Sequence, residues 1–396
     1  MTGASVPTAG LDALDVKGKR VLMRVDFNVP QDAAGQISDD TRIRAAVPTI
    51  REVLAKGARC VVLMSHLGRP KGVDEKLRLD PLAARLETLL ARKVTKLNDS
   101  TGAAVEKAVA SAPTGSVILL ENVRFNAGEQ KADPQLSAAY AKLGDVFVND
   151  AFGTSHRAEC SVSEVAKLLP SVAGRLLQAE IEAFGRVLAK PERPLVAILG
   201  GAKVSDKLLV IDNLLDKCDT LLIGGGMAYT FLKVMGQPIG KSLCENERID
   251  VVKAALAKAA AKKVEILLPV DHVVADKFAA DAVTKTVDVI PEGWMALDIG
   301  PKTRKLFAAK IASARTVVWN GPMGVFEMAP FAAGTSAVGK AVAACAGYTV
   351  VGGGDSVAAL EQMKLSSKVK HVSTGGGASL ELLEGKTLPG IEALSV

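Results

Sequence analysis

The stretch YTVVGGGDSVAAL, Tyr348–Leu360, reads as the end of a buried strand, a glycine turn and the start of a small-residue helix. Glycines at such a turn let the backbone approach a ligand closely, because no Cβ intervenes. The first amides of the helix point outward and favour anions. Asp355 beside them is poorly suited to touch phosphate and well suited to hold Mg²⁺. Taken alone, the stretch allows two readings, a turn under the phosphates of a metal-nucleotide and a tight strand-to-helix turn with no ligand.

The same unit recurs along the chain: a short apolar β-branched run, a polar or glycine-rich turn, then a helical pattern. Such runs open at Arg20–Val25, Cys60–Met64, Val117–Leu120 and Asp145–Val148. They continue at Leu195–Leu199, Thr220–Ile223, Val264–Val270, Thr316–Trp319, Thr349–Val351 and Lys370–Val372. Near-continuous apolar strands alternating with helices predict α/β architecture, with parallel sheets covered on both faces. Ligand sites in such sheets lie beyond the carboxyl ends of the strands. The unusual motifs of this chain fall there.

The 396 residues are too many for one ordinary core, so two domains are expected. A net charge of +6 is mild, and no basic run alternates with stacking aromatics, which argues against nucleic acid as a partner. Five cysteines, with no C-x-x-C pair, indicate neither a disulfide framework nor a zinc site. Residues 1–10 lack the basic start and apolar core of a signal peptide, and no apolar run is long enough to cross a bilayer. A cytoplasmic location and no membrane partner are the expectation.

The two halves carry different chemistry at their strand ends. In the first, Asp26 and Asn28 share one face of an extended segment. His66 and Arg69 flank Gly68 in one loop and could reach a single phosphate, with arginine offering a bidentate fork. Arg124 and Arg157 add two more strand-end cations, and Arg42 follows at a helix start, where a plain surface arginine is the alternative. Such a cationic bowl suits a small, highly charged anion. The second half has glycine runs at 200–201, 224–226, 352–354 and 375–377. Lys203 and Lys207, four apart at a helix start, would face phosphates held over Gly200 and Gly201. Gly376 opens a further helix whose amides could face the same point, and Glu327 suits ribose hydroxyls or simply a helix start. No G-x-G-x-x-G is present, which counts against a dinucleotide. Between the halves, Val172, Leu176, Leu177, Ile181, Phe184, Val187 and Leu188 recur at helical spacing before Pro191 and Pro194. An interdomain helix is expected, with a surface helix of the first domain as the alternative.

In order, the chain carries VDFNVP, SHLGRP, ENVRF, FGTSHR, GGAKVSDK, GGGMAYTF, WNGPMGVFE, GGGDS and STGGGAS. With these nine motifs it closely resembles the phosphoglycerate kinase family in its bacterial form, nearly from end to end. The resemblance implies two Rossmann-like domains with parallel sheets flanked by helices, joined by an interdomain helix and hinge. It implies domain 1–172 for 3-phosphoglycerate, the helix at 173–190 and domain 191–378 for nucleotide, with the tail 379–396 returning to the first domain. Asp26, Phe27, Asn28, Arg42, His66, Leu67, Gly68, Arg69, Arg124 and Arg157 would bind 3-phosphoglycerate or 1,3-bisphosphoglycerate. Gly201, Lys203, Lys207, Gly224, Gly225, Gly300, Asn320, Pro322, Glu327 and Gly353–Ser356 (Gly353, Gly354, Asp355, Ser356) would bind ATP or ADP. Asp355 would anchor Mg²⁺, and Arg42, Lys203 and Gly376 would act in catalysis. A monomer in the cytoplasm is implied, a glycolytic kinase of the transferase class that bends at its hinge.

Two other classes compete on residue patterns alone. A nicotinamide dehydrogenase would share the two-domain α/β plan, yet it would show the dinucleotide fingerprint and need no four arginines. A two-lobed anion-binding protein would explain the bowl and leave the second set of glycine turns without a purpose.

Overall fold

The computed structural model describes residues 9–394 and divides into two compact units. One runs up to Glu182 and takes in the segment from Thr387; the other spans Ala183–Lys386.

The strands of the first unit are β1 (Arg20–Arg24), β2 (Cys60–Met64), β3 (Val94–Lys96), β4 (Ser116–Leu119), β5 (Val146–Asn149) and β6 (Ser171–Ala173). They form one parallel sheet in the order β3-β4-β2-β1-β5-β6. Alternate residues feed two cores. Val21, Met23, Val61 and Leu63 pack on one face with Ile43 and Ile50 of the helix Thr41–Ala55. Leu22, Val62 and Met64 pack on the other with Val105, Val109 and Tyr140. Each such aliphatic side chain contributes roughly 1.5–3 kcal/mol by leaving water. The chain leaves β1 toward β2 on one side and meets β5 on the other, so the order reverses at β1, where ligands of open α/β sheets bind.

The expected apolar runs of this half become strands within one residue of their read limits. Two edge strands, β3 and β6, are too short to stand out as apolar runs. Val172, expected in the interdomain helix, lies in β6 opposite Val148, and the helix runs from Arg175 to Leu188. Gly174 separates them. A Cβ there would stand 2.2 Å from Asp150 Oδ1. That oxygen accepts from the amides of Leu176 (2.9 Å) and Leu177 (3.2 Å), which sets the helix start. The division between the units falls inside this helix, after Glu182.

The second unit holds β7 (Leu195–Leu199), β8 (Thr220–Ile223), β9 (Glu265–Leu267), β10 (His272–Ala275), β11 (Thr284–Val287), β12 (Met295–Ile299), β13 (Thr316–Asn320), β14 (Tyr348–Gly352) and β15 (His371–Val372). Six of them form a parallel sheet ordered β15-β14-β13-β7-β8-β9. The other three form an antiparallel sheet, β11-β10-β12. The run read as one strand over 264–270 ends early at Leu267, and the next strand belongs to the small sheet. Its partner β11 is largely exposed and carries no apolar run, so periodicity gave no sign of it. In the main sheet Asn320 sits beside Leu199 on one side and Gly352 on the other. The carboxyl ends of β7, β13 and β14 are therefore level, and three glycine turns begin from one line.

Candidate active site

The first cluster grows from the end of β1. Arg24 is fully buried. Its Nε donates to Ser161 Oγ (2.9 Å), and its Nη2 lies 3.1 Å from His66 Nδ1. Asp26 accepts from Arg42 Nη1 (2.8 Å) and from the amide of Asn28 (3.2 Å). Asn28 Oδ1 in turn accepts from the amide of Gly68 (2.8 Å), whose carbonyl accepts from Arg124 Nη1 (2.9 Å). Gly68 has φ +64°, which its turn requires. Glu159 accepts from Arg124 Nη2 (3.2 Å) and lies 3.6 Å from Arg157 Nη1. Four loops expected to share a ligand thus share one polar network.

Phe27 and Leu67 take part differently, because their side chains are buried in the core. Their amides donate to Ser65 Oγ (3.0 Å) and Asn122 Oδ1 (3.3 Å), which locks the two loops in place. Arg69 is exposed and forms no ion pair among the described residues. Burial holds the His66 imidazole well below its ordinary pKa, and the charges of Arg24, Arg124, Arg157 and Arg42 push the same way. Burial also lowers the pKa of Arg124, and its Nε has no partner among the described residues. A cluster of cations around a neutral histidine, with one buried donor unmatched, is built for an anion. Arg24 and Glu159 were not singled out in the sequence. The signal for Arg24 was there, a charge inside an apolar strand, which survives burial only with partners.

The second cluster is a cavity of about 410 Å³ over the level ends of β7, β13 and β14. Gly200–Lys203, Asp206 and Lys207 form one wall, Asn320–Pro322 another, and Gly353–Ser356 with Gly376 and Gly377 the rest. Gly353 has φ +90°, and a Cβ there would lie 2.9 Å from Asn320 Nδ2. Two helix starts meet here, Gly354–Gln362 and Gly376–Leu383, with the Cβ position of Gly376 3.9 Å from the amide of Gly354. Their first amides supply donors for an anion. Lys207 bonds Asn320 Oδ1, and burial lowers its pKa against the pull of Asp206 and Asp355. Lys203 is exposed and forms no ion pair among the described residues. Ser356 is buried and accepts from the amide of Gly321 (2.6 Å), so its hydroxyl braces the turn.

Gly224, Gly225, Gly300 and Glu327 do not line this cavity. Gly225 sits against Gly201, 2.6 Å from its carbonyl at the Cβ position, and so supports the floor. Gly300 precedes the helix Pro301–Ala312, and Glu327 is exposed. No group of three or more His, Cys, Asp or Glu able to hold a metal exists among the described residues. Asp355 lines the cavity, is exposed and forms no ion pair among the described residues. One carboxylate beside anion-favouring helix-start amides fits Mg²⁺, which takes few protein ligands and completes its shell with phosphate and water.

The phosphoglycerate kinase family profile matches residues 11–386. The phosphoglycerate kinase of Moorella thermoacetica is 59% identical over 388 residues, covering 97% of this chain and 98% of that protein. That of Synechococcus elongatus is 55% identical over 393 residues, covering 98% of each. Among solved structures, phosphoglycerate kinase from Coxiella burnetii superposes with a TM-score of 0.91 at 44% identity, covering 98% of this chain and 99% of that one. With those extents and identities, the chain belongs to the phosphoglycerate kinase family.

Proposed function

We propose that the chain transfers a phosphoryl group reversibly between 1,3-bisphosphoglycerate with ADP and 3-phosphoglycerate with ATP, as a glycolytic and gluconeogenic kinase. The network around His66 holds phosphoglycerate, and the glycine-walled cavity holds the nucleotide. The observation that carries this reading is the cavity, where two helix starts, Lys203, Lys207 and Asp355 converge over the strand ends. The cationic cluster of the other unit supports the second half of it.

Both nucleophiles, a carboxylate and an ADP phosphate, are anionic at neutral pH, so no general base is required. The work left to the protein is in-line alignment and neutralisation of the three equatorial phosphoryl oxygens. In this reading Asp26 orients Arg42 toward the transferring group, and Lys203, lacking an ion-pair partner, is available to it from the nucleotide side. The amides of Gly376 and its neighbours add fixed donors at a helix start. Mg²⁺, held by Asp355 and the nucleotide, supplies further positive charge when bound.

The two clusters belong to separate units, so transfer calls for the units to close, which also keeps water from the acyl phosphate. The protein is read as a cytoplasmic monomer that engages neither nucleic acid nor membrane. No helix among the described residues is long and apolar enough to cross a membrane. A coupled assay with MgATP and 3-phosphoglycerate tests the reading directly. Turnover is expected; ATP binding without turnover would withdraw it.

A further inference from the structure

Glu129 is buried in a short turn, Glu129–Lys131, that the mechanism above does not use. Its carboxylate accepts from the amide of Ser161 (3.2 and 3.3 Å) and from the Ser161 hydroxyl. The same hydroxyl oxygen accepts the Nε–H of Arg24. The far end of that guanidinium meets His66 Nδ1 at 3.1 Å. A guanidinium donates only, so Nδ1 has to accept. A neutral His66 then carries its single proton on Nε2. With Glu129 ionised, every bond in this chain has a fixed direction: Ser161 gives its proton to Glu129, Arg24 gives one to Ser161 and another to His66.

We propose that Glu129 and Ser161 are positioning residues that hold Arg24 against His66 and so present its imidazole as an Nε2–H donor to the anionic group of phosphoglycerate. This rests on the assignment of the His66 network to phosphoglycerate. Without Arg24 on Nδ1 a neutral imidazole has two tautomers to choose from, and only one offers Nε2–H. Without the Ser161 hydroxyl, Arg24 Nε loses its acceptor. A glutamine at 129 can turn its amide toward Ser161 and compete with Arg24 for the hydroxyl oxygen. Burial, helped by Glu159, pushes the Glu129 pKa up to about 7 against the pull of the Ser161 bonds and Arg24. Tyr140 and Cys160, whose own pKa values are raised, stay neutral beside it. The comparison is therefore best made near pH 8, where Glu129 is charged.

Nitrogen-15 NMR of histidine-labelled protein reads the tautomer without any substrate. The chain has four histidines, and His66→Gln identifies the relevant signals. The wild type should show His66 with a bare Nδ1 and a protonated Nε2. Ser161→Ala and Glu129→Gln should shift part of the population to Nδ1–H. Both should raise KM for 3-phosphoglycerate about three- to tenfold, the value of one hydrogen bond, with kcat and KM for ATP within about twofold. Ser161→Thr, which keeps the hydroxyl, should retain the wild-type spectrum. A wild-type His66 protonated on Nδ1, or charged, overturns the proposal even if the variants do not fold. So does an unchanged tautomer in Ser161→Ala, or an equal rise of KM for ATP. Absence of phosphoglycerate turnover in every protein, with the tautomer as expected, would instead fault the functional reading.

Discussion

Lys203 and Lys207 stand four residues apart, yet their surroundings give them different work. Lys207 is half-buried and tied to Asn320, so its charge braces the turn between β13 and the cavity. Lys203 is exposed and lacks an ion-pair partner among the described residues, which leaves it available to a transferring group. Lys203→Ala should lower kcat by roughly 10²–10³, the size seen when one preorganised charge donor is lost. Steady-state kinetics with both substrates varied will check this, and a change in KM alone would remove Lys203 from the chemical step. That both lysines line the cavity was legible, because lysine beside glycine at a helix start points to one strand-end turn. Arg24 was not singled out, since its partner Ser161 lies 137 positions away and only folding joins them. Glu159 carries no local signal for a like reason: its worth comes from bridging Arg124 and Arg157, which no local spacing reveals.

At the level of elements, the cavity proposed for nucleotide depends on two strand-end turns that touch backbone to backbone. The amide of Gly200 donates to the Asn320 carbonyl (3.0 Å), and that of Gly201 to the Pro322 carbonyl (3.0 Å). A Cβ at Gly200 would stand 2.0 Å from the Pro322 carbonyl oxygen, which cannot yield as a flexible side chain would. Gly200→Ala should therefore part the turns, lower stability by about 1–3 kcal/mol and weaken ADP binding, as denaturant titration and calorimetry would show. Wild-type values for both would mean that the turns are not coupled. The buried parallel strands were readable from composition because both faces are apolar. The edge strands β3 and β6 are three residues each and too short to display a period. The small antiparallel sheet hid for a different reason, since β11 is mostly exposed and needs no apolar pattern.

On the scale of the whole molecule, stability should carry a trace of Asp298. This carboxyl accepts from the amides of Gly334 (2.7 Å) and Ile299 (2.9 Å), and burial pushes its pKa up to about 7. The folded chain keeps a proton that the unfolded chain releases between roughly pH 4 and 7. The stability from this group is thus full at low pH, declines through that window and is level above it. Between about pH 4.5 and 7.5 the wild type should lose on the order of 2–4 kcal/mol relative to Asp298→Asn. Parallel pH profiles in urea unfolding would contradict this. The proposed assignment of one substrate to each unit also predicts that X-ray scattering shows compaction only with MgATP analogue and 3-phosphoglycerate together; curves unchanged by ligands would argue against closure. One contact bears on how the chain is made. The segment from Thr387 packs in the unit that otherwise stops at Glu182, where the Gly390 amide donates to the Ser155 carbonyl (2.8 Å) and Asn149 Nδ2 donates to the Gly390 carbonyl (2.9 Å). Roughly 200 residues of the other unit must be translated in between, which takes on the order of tens of seconds at about 5–20 residues per second. During that interval the nascent first unit has an open seam. A chain halted before Thr387 would keep that seam open to proteases and chaperones, so the first unit closes only after both units have been made.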